Sequence, residues 1–179
     1  MIGDPILAMT TSAENQLYAL DEIALTLAQP CQRTAVYHTV EDVMQRLIGH
    51  RLFTLLAVLP GGHRVQRFWS SNETVYPPSG RKCLDSTPWG EVVLKNKKAW
   101  LGRNAADIRW AFADHALIAS LGLGSVINVP IVVRGQLLGT MNLLHRENHF
   151  TVDDVTIAAR VAPYLIPAFI EEVKTIEVS

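Results

Sequence analysis

Ser125-Val-Ile-Asn-Val-Pro-Ile-Val-Val-Arg-Gly-Gln-Leu-Leu-Gly-Thr-Met-Asn-Leu-Leu144 decides how the rest of the chain is read. Two apolar, β-rich runs, 125–133 and 137–144, flank Arg134-Gly135. Gly takes the positive φ that a tight turn between antiparallel strands needs, so the stretch reads as a β-hairpin.

Strand side chains alternate between faces, and parity sorts the hairpin into two sets. Asn128, Pro130 and Val132 share one face, as do Thr140, Asn142 and Leu144 on the partner strand. The other sets, Ile127, Val129 and Ile131 with Leu137, Gly139, Met141 and Leu143, are almost wholly apolar. Apolar sets belong under helices. The mixed sets suit a pocket, where a few polar groups among apolar ones fix a small molecule's orientation. Asn128, Thr140 and Asn142 serve equally well as partners for buried lid backbone, the usual fate of buried polar side chains.

A short loop follows the hairpin, and then Phe150-Thr-Val-Asp-Asp154 opens a long apolar helix. Strand, Gly turn, Leu-Leu-Gly139-Thr-Met-Asn-Leu, loop and helix together resemble a GAF domain, the small-molecule-binding sensor module, over about residues 35–173. The resemblance implies an α+β fold: a central antiparallel sheet of five or six strands, with N- and C-terminal helices on one face. A lid of short helices and loops covers a pocket on the other. Residues 1–34 are then a helical extension packed on a GAF domain at 35–179. A resemblance of pattern speaks to the fold and leaves the ligand open.

The 179 residues suit one domain with a substantial core, and 49% hydrophobic against 18% charged residues argues against disorder. No Lys or Arg precedes Arg33, so the basic start of a signal peptide is missing. The longest uncharged run, 116–133, is broken by Gly122, Gly124, Ser125, Asn128 and Pro130, which are turn and strand signals rather than a membrane span. A cytoplasmic protein without membrane or nucleic-acid partners is expected, since a net charge of −1 offers no basic field. Bases are nonetheless concentrated: residues 64–109 carry nine Lys or Arg against four Asp or Glu, so a pocket closed by this segment would have a positive mouth.

Helical spacing is expected over 11–29, stopped by Pro30, and again after Thr34, a potential cap, with Val36, Val40, Val43, Leu47 and Ile48 as its stripe. Residues 52–59 and 63–71 read as a first hairpin around Pro60-Gly61-Gly62. Thr87-Pro88 opens a short helix to Lys95; 97–101 reads as a brief strand and 106–119 as one weak helix. Thr151 caps the last helix, which Pro163 and Pro167 should kink or break.

All four tryptophans, Trp69, Trp89, Trp100 and Trp110, fall between residues 69 and 110, largely in the irregular middle segment that is the candidate lid. Such aromatics suit a ligand cage or a satellite core under a long loop. Arg109 and His115 are candidates for presenting a cation to an anionic ligand, with ordinary solvent exposure as the alternative for Arg109. The expected ligand site is therefore Trp69, Trp89, Trp100, Arg109, Trp110, His115, Asn128, Thr140 and Asn142.

Phe150 and Asp154 match part of the signature of cyclic-nucleotide-binding GAF domains, but its Lys is missing and Val155 stands for its Glu. Cys83 is followed by Leu84 rather than the His that typically follows a bilin-linking Cys. His145 and His149 lie in a loop without further ligands for a metal or haem, and Cys31 and Cys83 have no metal-ligand spacing. Free methionine-(R)-sulfoxide reductases are single GAF domains, and Cys83 beside Arg81 and Lys82 is the one candidate nucleophile for that chemistry, though no resolving Cys is near. The preferred reading is a non-enzymatic sensor of an unidentified, anionic small molecule. Its output passes through a homodimer of terminal helices or an effector protein. The alternatives are the reductase and a ligand-free interaction scaffold.

Overall fold

The computed structural model describes residues 5–59, 61, 62, 64–83 and 87–178, with side chains at all of these except 5–12, 82, 83, 177 and 178. Six strands form one antiparallel sheet: β1 (Leu52–Val58), β2 (Arg64–Ser70), β3 (Arg81–Cys83), β4 (Trp100–Gly102), β5 (Ser125–Val133) and β6 (Gln136–His145). Their order across the sheet is β3-β2-β1-β6-β5-β4. The β5–β6 link is the expected two-residue turn. Arg134 (φ 48°) and Gly135 (φ 81°) both take positive φ, the backbone whose twist matches a two-residue hairpin, and Val133 pairs directly with Gln136.

Helices α1 (Pro5–Ala28), α2 (Arg33–Leu47), α6 (Val152–Val161) and α7 (Ile166–Val178) cover one face. Ile127, Val129, Ile131, Met141 and Leu143 pack there with Phe53 and Leu55 against Val40, Met44, Leu165 and Phe169. This is the parity expected of the central hairpin. Each such buried side chain contributes about 1.5–3 kcal/mol. Thr151 caps α6 in a reciprocal capping box with Asp154, and a 3-10 turn, Ala162–Leu165, separates α6 from α7 at Pro163. Thr34 does not cap α2. The helix starts at Arg33 after an extended Gln32, which places Thr34 inside the first turn.

On the opposite face lie α3 (Pro88–Gly90) with the π-helical turn Glu91–Lys95, α4 (Ala105–Ala111) and α5 (His115–Ser120). The single helix expected over 106–119 is broken, because Phe112 takes an extended backbone (φ −129°, ψ 129°). Ala113 and Asp114 then lie between α4 and α5. Pro130 sits in β5 beyond the last β4 pair, Trp100 with Asn128, where its missing N–H leaves no ladder bond unmade.

Two β-bulges set which side chains face the lid. Leu55 pairs with Trp69 but Leu56 with Arg67, so Phe68 is an extra residue in β2. Phe68 and Trp69 both turn to the helix face, and Arg67 and Ser70 turn to the lid face. Likewise Ile131 pairs with Gly139 and Val132 with Leu137, so Leu138 is extra and joins the main core in place of Leu137.

Candidate ligand-binding site

Cross-strand pairing aligns Trp100, Asn128, Asn142, Thr54 and Ser70 in one row across the sheet. The middle of the row is a directional chain of hydrogen bonds. Trp89 Nε1 donates to Asn128 Oδ1 (2.9 Å), Asn128 Nδ2 to Asn142 Oδ1 (2.7 Å), and Asn142 Nδ2 to both Thr54 O and Oγ1 (3.3 Å each). Thr87 sets Trp89 in place by capping α3, its hydroxyl accepting from Gly90 N at 3.0 Å, with Pro88 at the first helical position.

Above this row lies a cavity of about 380 Å³. Its floor is Leu52, Thr54, Leu56, Asn128, Asn142 and Leu144; its roof includes Trp89, Phe112 and Ile118. Arg67 and Tyr76 form one wall, and Asp114 lies on the lid side. The size falls in the range of pockets for small metabolites.

Arg67 is 7% exposed. Its Nη1 donates to Pro77 O (3.1 Å), its guanidinium carbon stands 4.7 Å from the Tyr76 ring centroid, and its buried Nε has no partner. Burial pulls the Arg67 pKa below its ordinary value, and Tyr76 and Asp114 oppose that shift. Burial, then the Asp114 carboxylate, pushes the Tyr76 phenol up to about 12, so it is a neutral hydroxyl at physiological pH. Gly80 makes room for the arrangement, since a Cβ there would stand 3.0 Å from Arg67 Nη1 and 3.5 Å from Pro77 O.

Of the nine residues expected at the site, Trp89, Asn128 and Asn142 line the cavity. Thr140 is 1% exposed on the same sheet face, yet it lies outside the lining and its hydroxyl has no partner. Trp69 is on the other side of the sheet, put there by the Phe68 bulge; its Nε1 donates to Glu41 Oε2 of α2 at 2.7 Å. Trp100 and Trp110 pack on each other with centroids 5.5 Å apart, and Trp110 is 46% exposed, an outer layer of the lid rather than a cage. Arg109 is exposed on α4, and His115 is held through Nδ1 to Phe112 O (3.1 Å).

Arg109 and His115 of the lid are not among the cavity's lining residues, and the cation that is among them, Arg67, stands on the sheet. Arg67, missed in the sequence, shares a strand face with Val65, a signal obscured by the Phe68-Trp69 pair. Cys83 pairs its backbone with Arg64 at the sheet edge, and its side chain lies outside the described residues. Cys31 is exposed after α1. His145 and His149 stack face to face at 3.5 Å, with His149 Nε2 hydrogen-bonded to Ile48 O (3.0 Å). Among the described residues no three His, Cys, Asp or Glu converge as metal ligands, and no helix is long and apolar enough to cross a membrane.

The fold is shared with solved GAF domains. One from a phosphoenolpyruvate-protein phosphotransferase of Coxiella burnetii aligns with a TM-score of 0.70 at 17% identity, covering 93% of this chain and 99% of that one. Its counterpart from Acinetobacter gives 0.69 at 12% identity, covering 87% and 93%. The phycoerythrobilin-bound GAF domain of a cyanobacterial phytochrome gives 0.69 at 16%, covering 92% and 99%. At these identities the likeness carries the fold alone. No curated protein matches the sequence. Residues 32–166, most of the chain, match the family model for the GAF domain, and the chain therefore belongs to the GAF domain family.

Proposed function

We propose that this GAF domain is a regulatory sensor that binds a small molecule in the cavity between the sheet and the Trp89–Asp114 lid, without catalysis of its own. The observation that carries the reading is the cavity's construction. Apolar walls surround a few fixed polar groups, Arg67, Asn128, Asn142 and Thr54. Among the described residues lining it there is no Cys or His to act as nucleophile or base.

Output is proposed to run through the terminal helices. Tyr18 and Leu25, seven residues apart on α1, are 70% and 64% exposed, an apolar seam that suits a second copy of the helix. The reading predicts that protein purified gently from its own host, examined by native mass spectrometry and then denatured, releases a stoichiometric small molecule. A chain that is empty and stays unshifted in melting temperature across a metabolite library would overturn it.

A further inference from the structure

Asp114 is the residue immediately before α5, where an Asp side chain ordinarily accepts a hydrogen bond from the helix's first N–H groups. It makes no such cap, and instead lines the cavity that Arg67 also lines. The two charges belong to different layers: Arg67 to the rigid sheet, Asp114 to the break between α4 and α5. A guanidinium this buried is costly without an opposing charge, and Asp114 supplies one, acting electrostatically on both Arg67 and Tyr76.

We infer that the cavity takes a small molecule bearing one anionic group, which seats on the Arg67 guanidinium in exchange for the Asp114 carboxylate. The inference rests on the sensor reading and adds the ligand's charge class and a route to the lid. Arg67 is pre-organised for the task. Pro77 O holds Nη1 and the Tyr76 ring backs the guanidinium, so the group meets a planar anion in a fixed orientation. The rest of the ligand meets Trp89, Phe112, Ile118 and Leu56, an apolar enclosure that suits an aromatic or aliphatic body. Asp114, once displaced, becomes available to cap α5. Ligand charge is thereby converted into a new arrangement of the α4–α5 segment, because the bound anion and Asp114 compete for one cation.

The test uses two matched probe series: benzoate, benzamide and benzylamine, and hexanoate, hexanamide and hexylamine. Binding to the full chain is followed by melting temperature and by tryptophan fluorescence, to which Trp89 in the cavity wall contributes. The expected result is that only the carboxylates bind, that Arg67→Gln abolishes binding, and that Asp114→Asn tightens it on the order of tenfold by removing the competing anion. If Arg67→Gln does not fold, the double variant R67Q/D114N, which removes both buried charges, should fold and bind neither carboxylate. Equal binding of the amides or amines would overturn the anion assignment while leaving a ligand cavity in place. Unchanged or weakened carboxylate binding in Asp114→Asn would overturn the exchange. No binding by any of the six, in wild type or Asp114→Asn, would overturn the anion inference, while the sensor reading stands or falls on the native mass spectrometry and the metabolite library.

Discussion

Trp89 donates its indole Nε1–H to Asn128 Oδ1 at 2.9 Å, and through this bond the lid helix α3 is tied to the central strand β5 across the edge of the cavity. Both residues are buried, at 9% and 2% exposure, so the bond has no competition from bulk water.

Cutting the bond from its two ends should therefore cost different amounts. Asn128→Ala strands the indole N–H and also removes the donor to Asn142 Oδ1, and a buried polar group left unpaired costs about 1–3 kcal/mol. Trp89→Phe removes one donor and leaves Asn128 bonded to Asn142. Denaturant unfolding should show the larger loss for Asn128→Ala, and the reverse order would mean that the row is not a cooperative unit.

Gly139 is the position in β6 least able to accept a side chain. A Cβ there would stand 2.0 Å from Leu56 O, 2.5 Å from Phe169 Cε1 and 3.0 Å from Ala57 Cα, and two of these are backbone atoms that cannot step aside. Gly139→Ala should destabilise by roughly 3 kcal/mol or more, the upper end of overpacking penalties. Gly62→Ala, where a Cβ meets nothing within 4 Å, carries only the strain of positive φ, about 1 kcal/mol. Comparable losses at both sites would refute the close approach.

Gly139 also shows what the sequence discloses and what it hides. Alternation placed Ile127, Val129, Met141 and Leu143 under the helices correctly because polar and apolar sets separate cleanly over 125–144. Parity survives only while the ladder is regular. One extra residue at Phe68 puts Trp69 with the helices while Arg67, two residues earlier, faces the cavity, and one at Leu138 exchanged Leu137 for Leu138 in the core. A bulge is a feature of pairing between strands, so neither strand's own pattern discloses it. The break at Phe112 is similarly tertiary: Ala111 and Phe112 pack against Trp89 and Val93, which outweighs continuing a weak helix.

Thr140 offers a test in the opposite direction. Its hydroxyl is buried, without a hydrogen-bond partner, in the sheet row beside Leu56. Thr140→Val keeps the side chain's shape and removes the cost of an unpaired hydroxyl, so it should stabilise the protein by about 1 kcal/mol. A loss of stability in denaturant titration would mean that this hydroxyl is satisfied in solution.

The Tyr18 and Leu25 seam predicts a concentration-dependent dimer. Light scattering over the micromolar range should give twice the chain mass for wild type and the single mass for Leu25→Glu, since a charge on an apolar helix seam opposes packing. A wild-type mass of one chain at all concentrations would sink the dimer.

His145 makes stability depend on pH in a definite direction. Burial, followed by the cationic influence of His149, Arg51, Arg146 and His50, holds its imidazole at about 4 rather than the ordinary 6.5. Its Nδ1 accepts the Arg146 N–H at 2.8 Å, a bond available only while that nitrogen is unprotonated. Between these two pH values the unfolded chain binds the proton that the folded chain excludes. The neutral form's contribution is complete above pH 6.5 and is lost as pH falls through 6.5 toward 4, with no further loss below. Carboxylates titrate in the lower part of this window, so the measurement is a difference. Wild type should lose more stability between pH 7 and pH 4 than His145→Gln, whose side chain has no proton to gain. In an NMR titration the His145 ring should protonate near pH 4, well below an ordinary histidine. Parallel stability curves for the two proteins would show that the stacked pair with His149 opens freely to solvent and that the fold places no constraint on its charge.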